Sequence, residues 1–162
     1  MRFSRRRVAA AAALAAAAVM AVITGYLSWN HQQHLADVRD RAEFVAAAKQ
    51  VAVTLMSVDV NDPEGGVQRI LDNSVDPFRA EFAGAADDFV KVTKDAKVTT
   101  RASATAAAVK SASPDSAVVL VAATSTVTDA DGVAEPARNW RLIVDLKRNG
   151  DRIKMSSVEF LS

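Results

Sequence analysis

The residues able to do chemistry are few and poorly placed for it. The chain has 162 residues, with two histidines, one tyrosine and no cysteine. His31 and His34 stand at i and i+3, a spacing that could begin a metal site on one helix face. The next carboxylate at helical spacing is Asp37, and three ligands on one exposed helix hold a metal weakly. Surface histidines are the default, so no metal is expected. Asp87 and Asp88 form an adjacent acid pair. Neighbouring helix residues point about 100° apart, so both are expected to face solvent. Serine and threonine are plentiful, but a hydroxyl nucleophile needs an activating base, and no histidine follows His34. A tyrosine donor beside acidic groups, as proton transfer in steroid isomerisation requires, is also missing, because Tyr26 lies in an apolar run near the N-terminus. The absence of cysteine excludes disulfides, thiol nucleophiles and cysteine metal sites. This inventory points away from an enzyme and implies no cofactor.

The strongest signal is instead physical. Arg2, Arg5, Arg6 and Arg7 directly precede an uncharged run from Val8 to Trp29. As a helix that run of about 22 residues spans about 33 Å, enough to cross a bilayer core. The arginines mark the cytoplasmic side, and the rest of the chain is expected on the far side of the plasma membrane. A cleaved signal peptide is the rival reading, but its apolar core usually has only about 7–15 residues before a small-residue cleavage site. Here the run is longer, no A-x-A pattern follows, and Tyr26 and Trp29 resemble an interfacial aromatic pair. Residues 9–18 are nearly all alanine. Small side chains let helices approach closely in lipid, so this segment could pack against others. Four of the 20 basic residues precede the run and none of the 19 acidic ones does, which leaves a net charge of −3 on the remainder. Nothing in that balance calls for nucleic acid. The expected organisation is a basic tail over 1–7, a transmembrane helix over 8–29, a helical stalk over 30–43 and an extracytoplasmic domain over 44–162.

The elements of that domain follow from periodicity. Phe44, Ala48, Val51, Leu55 and Val58 recur at spacings of three and four, so a helix runs to about Asp59 with one buried face. Asp62-Pro63 reads as an N-cap with proline in the first helical position, and Asp76-Pro77 repeats the signal. The third helix that follows carries Phe78, Phe82, Ala85, Phe89 and Val92 on one stripe. From about Lys97 the period changes to that of strands, expected at 98–109, 117–128, 138–148 and 152–161. In the third, Trp140, Leu142, Val144 and Leu146 share a face. Asn149-Gly150 is the dipeptide of a tight type I′ hairpin. The apolar parity changes between Met155 and Val158, which places a bulge near Ser156-Ser157. Segregated helices and hairpin-linked strands define an α+β domain, with three helices on a curved four-stranded antiparallel sheet. Phe78, Phe82, Phe89, Trp140 and Leu142 would fill its core or line an apolar pocket.

The basic start, the alanine-rich anchor, the run from Arg41 to Leu55, Val67-Gln-Arg-Ile-Leu-Asp-Asn-Ser74, Asp76-Pro-Phe-Arg-Ala-Glu-Phe82 and the closing Val158-Glu-Phe-Leu161 together resemble the Mce-associated membrane proteins of actinobacteria. These motifs are packing patterns rather than chemistry. The resemblance implies a nuclear transport factor 2-like cone. It also implies an accessory subunit that stabilises or assembles an Mce-type lipid import complex, with the bilayer and other membrane proteins as partners. Such a domain also resembles the periplasmic part of the anchored scaffold subunit of type IV secretion. The alternatives are therefore a scaffold for another envelope machine, of secretion type, or a membrane-tethered lipid-binding carrier.

Overall fold

The computed structural model describes residues 38–161. Its first helix, α1, covers residues 38–56. Phe44, Ala48, Val51 and Ala52 are all but fully buried, and Leu55 packs against the same cluster. The i, i+4, i+7 spacing gathers these side chains into one stripe, and burying that stripe holds the helix. Helix α1 stops three residues before the expected end. Val58 leaves the helix and exchanges two backbone bonds with Thr100, at 2.9 and 2.8 Å. A strand partner thus takes the backbone groups that a further helical turn would have used.

Helix α2 (Pro63–Asp72) begins as the sequence predicts, with Pro63 in its first turn and the Asp62 side chain accepting from Gly65 N. The expected third helix is two helices, α3 (Phe78–Gly84) and α4 (Ala86–Ala96). Ala85 sits at φ −103° and ψ 2°, outside helical dihedrals. Gly84 just before it is a poor helix former. Nor does Asp76 cap: Pro77 holds the N-cap position of α3, without a side-chain cap bond.

Four strands follow, β1 (Thr99–Ala112), β2 (Ser116–Thr128), β3 (Arg138–Asn149) and β4 (Arg152–Leu161). They form one antiparallel sheet in the order β1-β2-β3-β4. Ala117, Val119, Val121 and Ala123 of β2, Leu142, Val144 and Leu146 of β3 and Met155 of β4 pack with the α1 stripe in one core. The bulge expected near Ser156 is present. Asp145 pairs with Ser157 but Leu146 pairs with Met155, so Ser156 is the extra residue. Met155 and Ser156 are consequently both buried, and Ser156 Oγ donates to the Asp145 carbonyl at 3.3 Å. Two further register shifts, at Thr105 and Lys110, interrupt β1. Each bulge bends its strand and raises the twist, which curves the sheet. The β3–β4 turn differs from the type I′ expectation. Asn149 pairs with Arg152, so Gly150 and Asp151 are the central residues, and Gly150 alone has positive φ, at 60°. That is the pattern with glycine at the first central position.

Candidate docking surfaces

The candidate site residues fall into two aromatic groups. On β3, Leu142 is fully buried among the core side chains, whereas Trp140, two residues nearer the strand start, is half-buried. The Trp140 indole N–H donates to Ser125 Oγ at 2.8 Å. Its ring meets Phe160 of β4 edge-on, with centroids 5.8 Å apart. Phe160 is 48% exposed. This end of the sheet therefore presents an aromatic edge to solvent, and Leu142 belongs to the core below it.

The second group is Phe78, Phe82 and Phe89. Phe78 stacks on Phe82 at 5.8 Å and Phe82 meets Phe89 at 5.6 Å, nearly edge-on. All three are half-buried, and only Phe78 packs against the main core. The break at Ala85 still leaves Phe82 and Phe89 in contact, so the stripe survives as a ladder along two short helices. Val92, the last residue of the expected stripe, is 66% exposed. Thr93 is buried instead, its hydroxyl bonded to the Phe89 carbonyl at 2.8 Å.

Electrostatics tie the helices to one another and to the sheet. The Arg69 guanidinium bonds Asp62 at 3.0 Å, and the Lys94 ammonium of α4 bonds Glu64 of α2. Hydrogen bonding from Arg69, helped by Gly65 N, holds the Asp62 carboxyl below its ordinary range. The bond from Lys94 does the same for Glu64. Both shifts go downward at exposed positions, which keeps these groups ionised and suits ion-pair partners rather than general acids. Asp87 and Asp88 are exposed in the first turn of α4, as expected. Arg148 lies 5.4 Å from the centre of the Phe44 ring, bonds Glu43 at 3.2 Å and donates to the Pro114 carbonyl.

Among the described residues no group of three or more histidine or acidic side chains could hold a metal, and no helix is long and apolar enough to cross a membrane. Arg2, Arg5, Arg6, Arg7, Tyr26, Trp29, His31 and His34 lie outside the described residues. The hydroxyls of Ser125 and Thr93 escaped sequence reasoning, because their role depends on partners 15 and 4 residues away. The serine-threonine content of β2 hints at Ser125 alone, since Thr93 lies on α4.

Helices packed on a bulged four-stranded antiparallel sheet make an α+β fold that solved domains of type IV secretion proteins share. The Legionella pneumophila IcmL-like type IV secretion system protein aligns with TM-score 0.63 and 10% identity, over 75% of this chain and 91% of that one. The periplasmic domain of DotI gives TM-score 0.60 and 16% identity, over 72% and 91%. CagV of Helicobacter pylori, a VirB8 homolog, gives TM-score 0.59 and 9% identity, over 74% and 96%. At these identities the likeness is one of fold. Family membership rests on sequence: the model of the family described as "Uncharacterized protein Rv1363c/MT1408-like" matches residues 5–162, and the chain belongs to that family. Rv1363c of Mycobacterium tuberculosis (strain ATCC 25618 / H37Rv) is 41% identical over 139 residues, which cover 86% of this chain. The chain spans about half of that relative's length, the match covering 53% of it.

Proposed function

We propose that this chain is a non-catalytic, membrane-tethered docking subunit of a bacterial envelope complex. The apolar run over 8–29 anchors it with the N-terminus cytoplasmic, and the α+β domain works on the outer side. The observation that carries this reading is the fold itself: it matches over 90% of the length of the periplasmic domain of DotI and of CagV, a VirB8 homolog of a type IV secretion system. The chemical inventory agrees. Tethering confines the domain to a surface and raises its effective concentration near other membrane components, so modest contacts suffice. The fold neighbours favour a scaffold role of secretion type. The motifs from Arg41 to Leu55 and from Asp76 to Phe82 favour a second reading, an accessory subunit of an Mce-type lipid importer.

A pull-down of the full chain from native membranes in mild detergent, with mass spectrometry of the recovered proteins, separates the two. Secretion-type envelope subunits in stoichiometric yield support the scaffold, whereas Mce proteins with their permease support the importer. Recovery of the chain alone at every detergent concentration overturns the docking role.

A further inference from the structure

The sheet face turned away from the core holds a second feature. Register sets two cross-strand rows there. Ala106, Ala122, Arg141 and Leu161 form one, and Ala108, Leu120, Ile143 and Glu159 form the next. Three alanines between Leu120, Leu161 and Arg141 leave a hollow of about 260 Å³. Over β2 and β3 its floor is backbone paired within the sheet, so that part of the floor offers a ligand no free hydrogen-bonding groups. The nearby hydroxyl of Thr105, at the bulge, is spent on the Ala122 carbonyl at 3.1 Å. Leu120 is 39% exposed at the rim.

One lining residue carries charge. Arg141 is exposed and makes no ion pair with any described residue. Glu159 faces the same side one row away and diagonal to it, a cross-strand offset of roughly 7–8 Å. A guanidinium at the edge of an apolar hollow recognises an apolar group that bears a carboxylate, through paired N–H donors in a fixed fork. At roughly 30 Å³ per water-sized group, the hollow holds an apolar part of about eight to ten heavy atoms.

We propose that this hollow binds a medium-chain amphipathic monocarboxylate. Its chain would lie over Ala106, Ala108 and Ala122 and its carboxylate against Arg141. Glu159 weakens the site by repulsion. The inference stands apart from which envelope complex the chain serves.

The test uses the full chain in lipid nanodiscs and a decanoate analogue carrying a terminal diazirine, with labelled peptides mapped by mass spectrometry. The expected result is labelling within 106–122, displaced by decanoate and much less by decanol. Arg141→Gln should weaken competition roughly tenfold, the loss of one charge-assisted contact. Ala122→Leu should abolish labelling by filling the hollow, and Glu159→Gln should strengthen it. Ala122 and Glu159 lie on the outer face, so melting curves of these variants should match the parent. Equal displacement by decanol, labelling unchanged in Arg141→Gln, or adducts confined to residues 8–29 would each overturn the proposal.

Discussion

Phe44 and Phe82 belong to similar-looking helical stripes in the sequence, but the structure gives them unequal roles. Phe44 is 0% exposed and sits in the core with Ala48, Val51 and Leu142. Arg148 covers its ring. Truncating a fully enclosed phenylalanine to alanine costs about 3–5 kcal/mol, the transfer loss plus the cavity left behind. Phe82 is half-buried and touches Phe78 and Phe89 outside the main core. Its truncation loses about half of that transfer term and leaves an open dent rather than a cavity, so about 1–2 kcal/mol is expected. With roughly 2–4 °C per kcal/mol for a chain of this size, Phe44→Ala should lower the melting temperature by about 6–20 °C and Phe82→Ala by about 2–8 °C. Paired urea titrations of the full chain in nanodiscs, followed by tryptophan fluorescence, give the two free energies directly. A Phe82→Ala cost equal to or above that of Phe44→Ala would refute this placement of the core.

Three other outcomes follow from single contacts. Deleting Ser156 leaves Leu146–Met155 and Asp145–Ser157 as adjacent pairs of a regular ladder, with every remaining residue on its present face. It removes the bend of the bulge and the Ser156 bond to the Asp145 carbonyl, so the variant should still melt cooperatively at a lower temperature; an unchanged melting temperature would mean that the bend carries no weight. Gly150 has φ of 60°, and Gly150→Ala should lower stability by about 1 kcal/mol or more, read by denaturant midpoint, with no change if the turn tolerates a side chain. Asp62 and Glu64 have carboxyls held below their ordinary values of 3.8 and 4.5. A lowered folded pKa gives stability that is present above the ordinary value and lost as pH falls through the folded one. Melting temperatures between pH 6 and 3 should therefore fall less steeply below about pH 4.5 for the Asp62→Asn, Glu64→Gln double variant than for the parent. Equal slopes would show that these pairs do not couple to folding.

The strands were legible because alternation and turn residues are local signals. Leu142, Val144 and Leu146 occupy the face that their parity predicts, and the parity change after Met155 placed the bulge near Ser156-Ser157, where Ser156 is the extra residue. The alanine-rich β1 extends beyond the expected 98–109, to Ala112. Alanine has little β-propensity of its own, and pairing with β2 decides its state. The helices were harder to read. A stripe at helical spacing does not report a break when the residues on either side keep the same face, as Phe82 and Phe89 do across Ala85. Likewise Val58 fits the α1 stripe by spacing, but Thr100 is far away in sequence and only tertiary pairing draws Val58 out of the helix. The outer hollow was hidden for another reason. Three small side chains and Arg141 converge only once the register of four strands is fixed.

The docking role is tested most directly by photo-crosslinking in living cells. A photoreactive amino acid would be placed at Val92 of α4 and, separately, at Phe160 of β4, both exposed. The account predicts discrete adducts between the full chain and subunits of one envelope assembly, formed from outside the cytoplasm. Crosslinks to cytoplasmic proteins, or no protein adduct from either position under conditions where the chain is abundant, would contradict it.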